Sequence, residues 1–187
     1  MRNAILLGTR LVLGGYLAVH GAQKLFGTFN GPGLDQTANG FENLGLTPAR
    51  PMAILAGVTE VGGGVLTAGG IADPLGPLAL MGAMTVATAV HREQGPLAAN
   101  GGYELPLTNL ATAAVLAAVG PGRFRLGPGL PKVLACAAAA GGAFLAAASV
   151  AQLVYAQPVA SAAMQSADAA DELEQDAVFA DIGASDE

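Results

Sequence analysis

The sequence predicts an all-α fold: a polytopic transmembrane helix bundle with a four-helix core and a fifth transmembrane helix. Three observations carry this. Of the 187 residues, 52% are hydrophobic and 12% charged, about half the charged share of an ordinary soluble domain. The apolar residues form five long continuous runs, without the period-two alternation of a membrane barrel strand. Glycine is abundant, at 27 residues, and small residues let helices approach closely in lipid, where packing rather than water expulsion drives association. Helices also satisfy their own backbone polar groups there.

The first run, Ile5–Phe26, is long enough to cross a bilayer, which takes roughly 20 residues. It does not read as a signal peptide, being too long, interrupted by Arg10 and followed by no clean small-x-small site. The second, Met52–Ile71, is entered through Thr47-Pro48 and Pro51. The third, Leu75–Val90, opens at Pro74 with Pro77 in its first turn, where proline is tolerated. The fourth, Leu105–Val119, closes at Gly120-Pro121-Gly122. Both the third and the fourth span about 22–24 Å, short for a hydrocarbon core of about 30 Å, so their ends extend into loops or the bilayer thins. The fifth, Val133–Tyr155, ends before Pro158. Residues 1–127, 128–157 and 158–187 thus divide into core, added helix and tail.

Charge is unevenly placed. Eight of the 14 acidic residues follow residue 167, where Lys and Arg are absent. Such a tail cannot bury enough apolar surface to fold alone, although Val178, Phe179 and Ile182 form a small apolar island in it. The tail reads as a solubilising segment or a docking peptide. The rest of the chain is slightly basic but has no basic patch with interleaved aromatics, which argues against nucleic acid as a partner. Arg2, Arg123, Arg125 and Lys132 would share one side of the membrane, favouring a cytoplasmic N-terminus. Cys136 is alone, so no internal disulfide forms. Trp is absent, which leaves Tyr16, Tyr103 and Tyr155 as interface anchors.

The first run contains Arg10, His20 and Lys24. A charge at the centre of a lipid-facing helix costs about 2.5–3.5 kcal/mol even on the lenient insertion scale, so such residues face protein, a wet cavity or a partner charge. On a helical wheel Arg10, Gly14, Leu17, Gly21 and Lys24 form one stripe, with His20 at its edge. At 1.5 Å per residue His20 lies about 9 Å, and Glu60 of the second run about 12 Å, below the same membrane face. Lys24 is near that face, as are Asn109, Glu104 and His91. The expected site is therefore a polar pocket in the outer half of the membrane, containing His20, Lys24, Glu60, Glu104 and Asn109, with His91 as a further candidate. A carboxylate beside His or Lys favours both charged forms against their desolvation. Such a cluster either locks helix register or holds a proton, a polar head group or a quinone carbonyl. Arg10 stands apart, about 7 Å from the opposite end, and is expected to snorkel to that interface.

Other chemistries have little support. His20, His91 and Glu60 come from three helices with no metal-site spacing, and two axial histidines for a haem would be awkward near one face. A Ser–His–Asp pattern is absent, and Cys136 lies in an Ala-rich run. Gly62–Gly64 lacks the strand and Lys-Ser/Thr of a phosphate loop and reads as close packing or a bend beside Glu60.

Several motifs resemble the DoxX family of small bacterial membrane proteins. They are Arg10-Leu-Val-Leu-Gly-Gly, His20-Gly-Ala-Gln-Lys-Leu-Phe-Gly27, Ala56-Gly-Val-Thr-Glu-Val-Gly-Gly63, Asn100-Gly-Gly-Tyr-Glu-Leu-Pro106 and Gly120-Pro-Gly-Arg-Phe-Arg-Leu126, within about residues 4 to 127. The resemblance implies a four-helix membrane bundle associated with a terminal quinol oxidase, a thiosulfate:quinone oxidoreductase or complexes handling oxidative and thiol stress. Val133–Tyr155 and the acidic tail depart from that pattern. The expected function is an accessory or redox-linked subunit of a respiratory or oxidoreductase membrane complex, with other subunits and the bilayer as partners. The alternatives are a binder of a quinone or other amphiphile, and a small-molecule or proton pathway.

Overall fold

The computed structural model describes residues 1–155, and six α-helices lie within them. In chain order they are α1 (Arg2–Phe26), α2 (Gly33–Asn43), α3 (Ala49–Gly69), α4 (Leu75–Val90), α5 (Glu104–Val119) and α6 (Lys132–Tyr155). Each of the five apolar runs is one of these helices, with ends shifted by a few residues. The acidic stretch 158–187, with its apolar island, lies outside the described residues.

Local chemistry sets the ends. α1 stops at Gly27, whose φ of 68° is left-handed and whose N–H donates to the Gln23 carbonyl. Gly70 does the same for α3 at φ 61°, and the Gly70 and Ile71 N–H groups donate back to Thr67 and Leu66. Glycine adopts that conformation without the steric penalty other residues meet. α4 follows Pro74 and carries Pro77 in its first turn, where no intrahelical N–H is lost.

α2 was not expected from the sequence. It is short and contains Gly33 and Gly40, and its apolar content is too low to form a continuous run. Thr37 and Ala38 are its buried face, packed towards α1 and α3. Leu46, just after it, is fully buried. An exposed ion pair, Arg50 to Asp35, links α2 to the start of α3.

The tightest packing is between α1 and α3. A Cβ on Gly21 would lie 2.6 Å from the Gly57 carbonyl oxygen and 2.7 Å from the Val61 nitrogen. One on Gly64 would lie 2.5 Å from the Gly14 oxygen. The backbones therefore touch, and the Gly62–Gly64 run contributes packing. Gly76 brings the start of α4 equally close to α3, beside Thr67 and Gly63. Leu6, Leu13, Leu17, Leu80, Met84, Ala113 and Leu116 fill the centre between α1, α4 and α5. The stripe expected on α1 is the buried one: Arg10, Gly14, Leu17 and Gly21 are all buried.

The outer surface is apolar. Val12, Val19, Val58, Val65, Val115, Val133 and Phe144 are all exposed, as a lipid-facing surface requires and a water-facing one does not. α1, α3 and α6 are long and apolar enough to cross a membrane, while α4 and α5 have 16 residues each. Gly82 of α4 lies against the Gly142 carbonyl of α6.

Gly21→Val puts side-chain atoms into the α3 backbone, and overpacking of this kind costs about 1–3 kcal/mol. Thermal unfolding in detergent should show a clear fall in Tm for Gly21→Val. Gly8→Ala should not lower Tm, since among the described residues nothing beyond its own helix backbone and chain neighbours lies within 4 Å of its would-be Cβ.

Candidate functional site

The α1–α3 contact carries a charged pair near one end and a buried cation at the other. Gly21 seats against Gly57 and Val61, so Lys24, one turn on, reaches the carboxylate of Glu60. Lys24 Nζ donates to both Glu60 oxygens, at 2.5 and 2.6 Å. Glu60 is nearly fully buried and the Lys24 side chain about one-quarter exposed. Each charge compensates the desolvation of the other, and loss of one partner would strand a charge, at a cost of about 3–5 kcal/mol when both are buried.

This pair stands in the wall of a cavity of about 340 Å³. Leu55, Ala56 and Thr59 of α3, Leu78, Gly82 and Val86 of α4, and Ala138, Gly142 and Ser149 of α6 form most of the remaining wall. Phe41 and Leu46 also line the cavity. From Leu75 to His91 the groove follows α4 for about 24 Å. It is an apolar slot with an ion pair set into one side, the usual composition of a small-molecule site. α6, which looked featureless in sequence, supplies one of its walls. Gln152 Nε2 of α6 donates to the Thr47 carbonyl in the α2–α3 connection.

The residues expected in one pocket are divided by the structure. Lys24 and Glu60 are together, and His91 lines the same groove. His20 lies within electrostatic reach of both members of the pair, but its ring packs edge-on against Tyr16, with centroids 4.6 Å apart. Asn109 lies elsewhere, in a second recess with Thr9, Tyr16 and Thr112 between α1 and α5. Glu104 is exposed at the start of α5, where its carboxylate accepts from the Ala98 N–H. Similar depth placed these two near Glu60 in sequence, but depth leaves the direction around the bundle open.

Arg10 does not snorkel. It is 2% exposed and its guanidinium donates to four backbone carbonyls: Thr67 at 2.9 Å, Ala68 at 2.8 Å, Pro121 at 2.5 Å and Phe124 at 2.7 Å. Thr67 and Ala68 are in the last turn of α3, where carbonyls lack helical partners and the dipole favours a cation. The fork of Arg suits this task as Lys would not. Gly70 is needed twice over, since a Cβ there would lie 2.7 Å from the guanidinium. The carbonyl acceptors carry no side-chain signature, which is why the sequence did not reveal them.

Asp73, in the turn between α3 and α4, completes this end. Burial pushes its carboxyl above the ordinary value of 3.8, and the nearby Arg10 and Arg125 only partly offset this.

A bundle of apolar helices with a lipid-facing surface and charges turned inward defines a polytopic membrane protein. The DoxX family model matches residues 5–92, from α1 to just past α4, and through that stretch the chain is similar to the DoxX family. The match ends before the 100–106 and 120–126 stretches that also resemble the family, and before α5 and α6. Comparison with curated proteins and with solved structures gives no match.

A raised carboxyl pKa in the folded protein means that folding favours protonated Asp73. Its contribution is complete below the unfolded value near 3.8 and is lost as pH rises through the higher folded value. Asp73→Asn should therefore raise Tm at pH 7, and the difference from the parent should shrink below about pH 4. Thermal scans of both proteins across pH 3.5–7.5 measure this.

Proposed function

We propose that this DoxX-like membrane protein is a redox-linked subunit that holds a quinone or a similar amphiphile in the groove between α3, α4 and α6. The observation that carries the reading is the Lys24–Glu60 pair in the wall of an otherwise apolar cavity of about 340 Å³. Ammonium has three donors, and Glu60 engages it through two contacts. A further N–H can meet a carbonyl oxygen, while the long apolar slot accommodates a hydrocarbon tail. The family resemblance supports association with an oxidoreductase complex, whose other subunits would exchange the ligand with this one.

The test is titration of the purified protein with a decyl-substituted benzoquinone. Lys24→Met should weaken binding about tenfold or more, since a hydrogen bond from a charged donor is worth about 1.5–3 kcal/mol. Unchanged affinity in a variant that keeps the parental fold rejects the site. Isolation from native membranes in mild detergent should bring oxidoreductase subunits along, and a clean monomer or homo-oligomer rejects the association.

We also infer a cytoplasmic N-terminus, supported by Arg2 and the Arg123, Arg125 and Lys132 cluster on one side. With five spans, residue 155 then faces the opposite side. A reporter active only in the cytoplasm should work at the N-terminus and fail after residue 155; the reverse pattern inverts the topology.

A further inference from the structure

We propose that His91 is a hydrogen-bond acceptor in this groove and makes it select a hydroxyl-bearing ring, the hydroquinone, over the oxidised quinone. The proposal rests on the groove being a ligand site, as read above.

His91 caps the C-terminal end of α4 and lines the groove that Lys24 and Glu60 share. Its Nδ1 lies 2.7 Å from the Ala87 carbonyl oxygen. A carbonyl can only accept, so Nδ1 carries the hydrogen. A neutral imidazole has one N–H, so Nε2 presents a lone pair. Thr59 lines the groove one residue before Glu60, about 10 Å from the level of His91 along the bundle, and the remaining polar groups are differently disposed. Lys24 can only donate, Glu60 is engaged by Lys24 through both oxygens, and the Ser149 hydroxyl donates to its own helix at Leu145.

Spacing fits a ring held at both sides. Gly63 of α3 faces Leu80 of α4, and the two helices run in opposite directions. His91 therefore lies about 12 Å beyond the level of Glu60 along the bundle. Lys24, one turn past Gly21, is on the His91 side of Glu60. A six-membered ring with oxygens at opposite corners, with a hydrogen bond of about 3 Å at each, spans a gap of this order.

The two redox forms of such a ring differ in what they offer. A quinone has two acceptor oxygens. One can take an N–H from Lys24, and the other meets the Nε2 lone pair unfavourably. A hydroquinone accepts from Lys24 at one hydroxyl and donates to His91 Nε2 at the other. Leaving a buried acceptor unmatched lowers affinity by about tenfold or more.

The experiment measures binding of a decyl-substituted benzoquinone and, under anaerobic conditions, its hydroquinone to the full-length protein in nanodiscs. Three proteins are compared: the parent, His91→Phe, which keeps a ring without an acceptor, and His91→Gln, whose amide oxygen still accepts. The parent should bind hydroquinone about tenfold more tightly than quinone. His91→Phe should bring the ratio close to one by weakening hydroquinone binding, and His91→Gln should restore part of the preference. Equal binding of both forms by the parent overturns the selectivity and leaves the groove reading standing. Parallel loss of both forms in His91→Phe and His91→Gln shows a structural role and also overturns it. If the parent binds neither form, the groove reading and this inference fail together.

Discussion

Lys24 meets Glu60, and Arg10 reaches the last carbonyls of α3, because α1 and α3 touch backbone to backbone. Gly14, Gly21, Gly57 and Gly64 remove the side chains that would hold the helices apart. In lipid there is little hydrophobic drive between helices, so contact area and polar links must hold them. Here the glycines give the contact and two cations give the links, one at each end. The groove, the register of α3 against α1 and the closing of the loop after α5 all follow from that pairing.

The two cations solve the same problem differently. Lys24 has a formal counter-charge in Glu60, which leaves the pair neutral and able to present an N–H to the groove. Arg10 is held mainly by carbonyl dipoles, with Asp73 further off in the turn. Four hydrogen bonds to backbone replace most of the hydration a guanidinium loses. The first arrangement leaves a donor direction open; the second uses up the fork and is structural.

Much of this was legible in the sequence, and the limits are physical. The five long helices appear as continuous apolar runs, and the Arg10–Gly14–Leu17–Gly21 stripe appears on a wheel because helical periodicity is local. The nearness of Lys24, His20 and Glu60 followed from depth. Depth alone also placed Asn109 and Glu104 with them, yet the bundle turns Asn109 towards α1 and leaves Glu104 at the surface. α2 was missed because so short and glycine-containing a helix is stabilised by packing on α1 and α3 rather than by its own pattern. α6 was visible as a span but not as a groove wall, since Ala138, Gly142 and Ala146 matter there for being small.

The Arg10 clamp links places far apart in the chain: its acceptors at Pro121 and Phe124 lie 111 and 114 residues downstream. At ordinary elongation rates, on the order of ten seconds separates the emergence of Arg10 from that of Phe124. Through that interval α1 holds a cation two of whose four acceptors do not yet exist. The order of completion thus reverses the order of synthesis. α1 settles only after much later segments, and a chain that stops short of Phe124 keeps an incompletely satisfied guanidinium that distinguishes it from a finished one.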